Sequence, residues 1–302
     1  MHETFYTHQF KRTDIEATIT LESNHPGHHI VLSGSVHGSE PSGTAAIVEL
    51  LSLLETGKLQ LSSGSITLIL GNPEAFKQNK RYLHHNLNRV FDKKSLQQTV
   101  EISESYEKVR AQEMAKWIEK HKPDVWIDLH STSSSDEPMA VLLEEYPEVE
   151  FVRNVSNFET YFMVSKTVLD GSLMQFCLEN GVKSVTFECG SHTSPKAKKR
   201  ALDQILSTLS YLEIITPAET LQKPEKVLLY TALASLDANP GFTWKIDKQR
   251  LVTGELIPAN ELLAVDDTTE YSFNTETYLM MPDANPTIGD KAIAFVCSKQ
   301  EV

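Results

Sequence analysis

The chain has 302 residues, of which 40% are apolar and 23% charged. These are ordinary values for a soluble globular protein, with room for a catalytic domain of about 200 residues and a smaller module. A formal net charge of −13 argues against nucleic acid as a partner, and no apolar run approaches the roughly 18 residues of a membrane span. The opening stretch MHETFYTHQFKRTDIEATIT has no basic region followed by an apolar one, so no secretory leader is expected. HHIVLSG (28–34) then predicts a buried strand. TAAIVELLSLLETG (44–57) predicts a helix, with Ile47, Leu50, Leu51 and Leu54 at helical spacing, Ser42 as its cap and Gly57 as its stop. SITLILGNP (65–73) reads as a second buried strand closed by Gly-Asn-Pro. Residues 99–121 read as an amphipathic helix through Ile102, Tyr106, Val109, Met114, Trp117 and Ile118, stopped by Pro123.

DVWIDLH (124–130) predicts a third strand, SLMQFCLENG (172–181) a helix, and VKSVTFE (182–188) a fourth strand. SPKAKKRALDQILSTLSYLEII (194–215) opens with a Ser cap and a first-turn Pro, which suits a helix start. Strands alternating with helices imply an α/β domain over 1–215 with a mostly parallel sheet. From 216 to 302 the texture becomes short strands broken by Gly, Pro and Asn, and a smaller C-terminal all-β module is expected. Cys177, Cys189 and Cys297 are odd in number and far apart, so neither a disulfide framework nor a cysteine zinc site is expected. That usage fits a reducing cytoplasm.

His37 follows the first strand, His130 ends the third, and Glu188 ends the fourth. Ligands of open α/β sheets bind beyond the carboxyl ends of strands, so the three can converge on one site. His37, Glu40 and His130 form a two-histidine, one-carboxylate set, the ligand set of catalytic zinc sites. Zinc would lower the pKa of its water toward about 7 and polarise a carbonyl. Asp128 shares a strand face with His130 and is either an orienter of its imidazole or a solvated strand-end carboxylate. Glu188 would be the base for that water; by itself it also reads as a salt-bridged strand end. In 71–91, Arg81, Asn88 and Arg89 would suit a substrate carboxylate and a developing oxyanion, or belong to a surface loop with ordinary charges. His84, His85 and His192 read as loop residues, and KAKKR (196–200) as a solvated face.

HGSE, NKRYLHHNLNRVF, DLHS and TFECG, with YLMMPDANPTIGDKAIAF (278–295) near the end, resemble the succinylglutamate desuccinylase and aspartoacylase family. The family is a zinc carboxypeptidase-like branch. The resemblance implies one zinc per chain on His37, Glu40 and His130, with Glu188 as general base. It implies that Arg81 steadies the carbonyl oxygen and that Asn88 and Arg89 grip the carboxylate of an amino-acid product. It further implies a C-terminal module that packs over the site, and a zinc-dependent amidohydrolase that cleaves a small anionic N-acyl amino acid with metal-activated water. A homo-oligomer is compatible with this reading. The pattern departs at one point: aspartoacylases carry a further arginine shortly before the catalytic glutamate, and no Arg occurs between Arg153 and Arg200. Lys166, Lys183 or the 196–200 cluster could replace it, and the acyl group stays unassigned. A metallocarboxypeptidase for short peptides needs the same site residues; an open cleft would favour it, a capped one the deacylase. A zinc-binding protein without catalysis would lack the base or an arginine.

Overall fold

The computed structural model describes residues 15–133, 136–216 and 222–302. Residues 1–14, part of the stretch read for a leader, lie outside them. One sheet of eleven strands runs through the molecule. In chain order its strands are β1 (Thr18–Glu22), β2 (His29–Gly34), β3 (Ser65–Leu70), β4 (Val125–Thr132), β5 (Met139–Leu143), β6 (Thr160–Val164), β7 (Lys183–Ser191), β8 (Leu228–Leu236), β9 (Glu255–Ile257), β10 (Thr277–Met280) and β11 (Ala294–Glu301). They lie side by side as β1-β3-β2-β4-β7-β5-β6-β8-β11-β10-β9. β3, β2, β4 and β7 are parallel, as are β5, β6 and β8, with β5 antiparallel to β7 where the two groups meet. β1 and the last strands β11, β10 and β9 are antiparallel to their neighbours.

The described helices are α1 (Pro41–Glu55), α2 (Pro73–Lys77), α3 (Lys93–Gln97), α4 (Tyr106–His121), α5 (Val149–Val155), α6 (Leu173–Glu179) and α7 (Ala197–Tyr211). Successive strand residues point to opposite faces. Accordingly Ile30, Leu32, Ile127 and Leu129 pack with α1 and α7, through Ile47, Leu50, Ile205 and Leu209. Val31 and Trp126 pack on the other face with α4 and α6, through Met114, Trp117, Ile118 and Phe176. Both faces are covered, which is why β4 is buried over its whole length.

The expected mixed α/β fold with a smaller antiparallel C-terminal part is present. Three details differ from the sequence reading. α1 starts at Pro41, directly after Glu40, so Ser42 lies inside its first turn and does not cap it. α7 starts at Ala197 with Lys196 at the cap position; Ser194 and Pro195 belong to the turn before it. α4 begins only at Tyr106, because Ser105 caps it with its hydroxyl on the Lys108 N–H (3.4 Å). Ile102 precedes the helix and is exposed. β8 is added parallel to β6, so the sheet continues from the expected catalytic domain into the C-terminal strands. None of the described helices is long and apolar enough to cross a membrane.

Candidate metal centre and active site

β2 ends at Gly34, and the chain turns at once into α1. Ser35 takes a left-handed backbone (φ 52°), and its hydroxyl donates to the Glu40 carbonyl at 3.1 Å. The Glu40 N–H donates to the His37 carbonyl at 3.0 Å, closing a tight turn that brings the two side chains together. Only glycine fits at 38: a Cβ there would lie 2.3 Å from the Ala75 backbone. His130 comes to the same place from β4, beside a register shift between His130 and Thr132. Such irregularities re-aim side chains next to active sites.

His37, Glu40 and His130 are all buried, with their ligand atoms mutually within 4.8 Å. The Nδ1 atoms of His37 and His130 each lie 2.9 Å from an oxygen of Glu40. Their opposite nitrogens decide the tautomers. His130 Nε2 lies 2.6 Å from the Asp128 carboxylate, an acceptor only, so it carries the proton. His37 Nε2 lies 3.0 Å from Asn86 Oδ1, which also accepts the Asn88 N–H at 3.0 Å. That oxygen is therefore an acceptor, and His37 Nε2 is a donor too. Two imidazole lone pairs thus face one carboxylate. Such a cluster of acceptors needs a cation, either a proton or a metal ion, at its centre. The donor set fits zinc, whose ligands are neutral imidazole and carboxylate and whose histidines donate their other N–H to an oxygen.

The titration of these groups follows the same geometry. Burial would lower the His130 imidazole, but the Asp128 and Glu40 carboxylates overcome it and raise it well above its usual value. Burial takes His37 down to about 4, with Arg81 and His130 adding to the effect against Glu40. Burial would raise Glu40, yet His37 and His130 hold it well below the usual carboxylate range. Asp128 is itself fixed by the Ser33 hydroxyl (2.7 Å), which accepts from the Trp126 indole (2.8 Å). Of the two sequence readings of Asp128, the orienting one matches these contacts.

Glu188 pairs in register with His130 on the neighbouring strand and lines the same cavity of about 660 Å³. Its Oε2 is shielded from solvent and has no hydrogen-bond partner among the described residues. Burial raises its carboxyl to about 7, with Glu40 and Asp128 adding to the rise against His130 and Arg81. Arg81, Asn88 and Arg89 line the cavity as well. Arg81 Nη1 donates to Glu40 Oε1 at 2.7 Å from a half-exposed side chain. Asn88 Oδ1 accepts the Leu173 N–H at 2.9 Å, and Arg89 Nη1 donates to the Asn88 carbonyl at 2.6 Å. Gly171 makes this docking possible: its φ is +70°, and a Cβ there would come within 2.6 Å of the Arg89 carbonyl oxygen.

The chain matches the model of the Succinylglutamate desuccinylase/Aspartoacylase catalytic domain over residues 26–213. It belongs to that family. The motif resemblance is thereby borne out. Curated relatives include "Probable aspartoacylase" of Nostoc sp., 39% identical over 35% of this chain and 36% of that protein. Another is succinylglutamate desuccinylase of Photorhabdus laumondii, 30% identical over 53% of this chain and 52% of that protein. The chain thus spans about a third to a half of these relatives' length. The fold matches the structure of succinylglutamate desuccinylase from Vibrio cholerae with a TM-score of 0.74, at 16% identity over 93% of this chain and 85% of that one.

Several residues of this family member's candidate site carried no local signal. Asn86 sits in the dense 71–91 stretch but matters through its contact with His37. Ser131 holds Glu40 Oε2 with its N–H (3.2 Å) and His192 Nδ1 with its hydroxyl (2.8 Å), which brings His192 next to the cluster. Glu107 on α4 is fully buried and accepts the backbone N–H groups of Leu83 (2.7 Å), His84 (3.1 Å) and His85 (3.2 Å). One carboxylate therefore pins the segment that presents Arg81, Asn86, Asn88 and Arg89. Glu107→Ala is expected to cost about 2–4 kcal/mol in urea unfolding, from lost charged hydrogen bonds. Amide exchange at 83–85 should accelerate; unchanged protection there would remove Glu107 from this role.

Proposed function

We propose that the chain is a zinc-dependent hydrolase that cleaves the amide of a small N-acyl amino acid to a carboxylic acid and a free amino acid. The observation that carries it is the pairing of a cation-requiring His37–Glu40–His130 cluster with a Glu188 oxygen that has no hydrogen-bond partner among the described residues, in one cavity. The relatives' names, aspartoacylase and succinylglutamate desuccinylase, describe the same bond cleavage. His37, Glu40 and His130 would hold the zinc, which would supply Lewis acidity toward the carbonyl and acidify water. Glu188 takes a proton from the attacking water as the O–C bond forms, and returns it to the leaving nitrogen as the C–N bond breaks. Arg81 turns from Glu40 to donate to the carbonyl oxygen as charge develops there. Asn88 and Arg89 grip the carboxylate of the amino-acid half; burial, with Arg81 beside it, brings Arg89 only down to about 10, so it stays charged at neutral pH.

Access separates this reading from a peptidase. Residues of the C-terminal part, among them Met281, Asp283, Ile293 and Phe295, wall the cavity, which supports a module that caps the site and favours small substrates. Three buried, unpaired cysteines support a reducing compartment such as the cytoplasm.

A screen of N-succinyl, N-acetyl and N-formyl amino acids on zinc-loaded protein tests the proposal. Release of free amino acid is expected, and its absence across the panel would refute it. Two variants separate the arginines. Arg89→Lys keeps the charge but loses the paired geometry, so KM should rise about tenfold or more with kcat little changed. Arg81→Ala should lower kcat by about 10²-fold, because the oxyanion exists only along the reaction path. Unchanged kinetics in both would make 71–91 an ordinary loop.

A further inference from the structure

We infer that the amino-acid half of the substrate carries an apolar side chain, of the leucine, methionine or phenylalanine kind, and not a second carboxylate. This rests on the deacylase reading above and narrows it. The cavity wall beyond Glu188 is built by strand register. Thr186, two residues before Glu188 and on its face, pairs with Val141, and Val141 pairs with Phe162. Directly opposed residues share a sheet face. The Phe162 ring in turn lies 5.0 Å from the Phe295 ring. Val141, Phe162 and Phe295 all line the cavity, and Leu169, Met174 and Ile293 join them.

The position of this wall relative to the carboxylate grip decides which half of the substrate meets it. Asn88 is tied to the Leu173 N–H, and Gly171 lies against Arg89. The grip is therefore docked between Leu169 and Met174. An amino-acid side chain leaves the same carbon that bears the carboxylate. With the carboxylate on Arg89, the side chain would start one bond away, inside the cavity that Leu169, Met174, Val141 and Phe162 help to line.

No free cation waits there among the described residues. The lysines and arginines lining the cavity are Arg81, Arg89 and Lys291. The first two are committed to the carbonyl and the α-carboxylate. Lys291 Nζ is bonded to Asp237 at 2.8 Å, and Asp283 and Asp290 line the same wall. Of the replacements the sequence offers, four are engaged elsewhere, and Lys196 is not part of the cavity lining. Lys183 lies over the Phe151 ring, Lys198 pairs with Glu49, Lys199 with Asp203, and Arg200 with Asp136. Lys166 is not part of the cavity lining either. A second carboxylate would shed its water against apolar groups and carboxylates, which is strongly unfavourable.

The test compares kcat/KM of the zinc-loaded protein on N-acetyl-L-leucine, N-acetyl-L-methionine and N-acetyl-L-phenylalanine with that on N-acetyl-L-aspartate and N-succinyl-L-glutamate. Calorimetric titration of free L-methionine and L-aspartate into the same protein accompanies it. The apolar substrates should be favoured by about 10²-fold, and methionine should bind more tightly than aspartate. Preference for the dicarboxylic substrates would overturn the inference and leave the deacylase reading standing; loss of that preference in Lys291→Met would then name Lys291 as the second anion site. No hydrolysis, but tighter binding of methionine, would retain the pocket assignment and end the deacylase reading. No hydrolysis and no binding preference would end both.

Discussion

Glu188→Gln is expected to keep its zinc and to lose on the order of 10²–10⁴ in kcat. The amide preserves the shape of the side chain and still hydrogen-bonds, but it cannot accept the proton of the attacking water. Zinc is retained because the clustered ligand atoms belong to His37, Glu40 and His130. The pH profile gives an independent readout. Burial, with Glu40 and Asp128, brings the Glu188 carboxyl up to about 7. A bound zinc ion beside it would pull that value down; the base works only when ionised, so wild-type kcat/KM should fall about tenfold per pH unit along an acid limb at or below about 7, and the limb should vanish in the variant. If Glu188→Gln keeps near-full activity, another group is the base, and His192, linked to the site through Ser131, is the first to examine.

Glu40→Gln should fail differently, by losing the metal itself. The Glu40 carboxylate bridges the two Nδ1 atoms, and it also accepts from Arg81 and the Ser131 N–H. Removing its charge should weaken zinc binding by more than about 100-fold, the upper range for loss of a residue that merely backs a ligand. Asp128→Asn, which alters only the group behind His130, should cost about 10–100-fold. Chelation of wild-type protein should abolish hydrolysis while the far-ultraviolet circular dichroism stays unchanged. The ligands hang on a covered sheet, with Leu129 and Ile127 buried on one side of β4 and Trp126 on the other, so the fold should not depend on the metal. Zinc content and kcat measured together on Glu188→Gln and Glu40→Gln check both assignments. The opposite pattern, zinc lost in the first and kept in the second, would exchange ligand and base.

The places of His37, His130 and Glu188 were legible because buried parallel strands are short apolar runs, and their ends can be read by eye. Glu40 was legible through its spacing from His37. The start of α1 is not legible because Ser42 is a good cap by type, whereas the turn at 37–40 leads directly into a helix that begins at Pro41. β5 (MAVLL) and β6 (TYFMV) have no local signature, because five buried residues carry no distinguishing period. Glu107 could not be read at all. A carboxylate on an amphipathic helix looks solvated until the fold brings the N–H groups of 83–85 to it. The addition of β8 alongside β6 is likewise a long-range pairing that no local pattern announces.

Anomalous diffraction at the zinc edge, on crystals of the wild-type protein grown with zinc, tests the central claim most directly. One peak per chain is expected, bounded by His37 Nδ1, His130 Nδ1 and the Glu40 carboxylate, with Glu188 beside it but uncoordinated. A peak elsewhere in the molecule, or none under zinc-replete conditions, would contradict the assignment of this cluster as the catalytic metal centre.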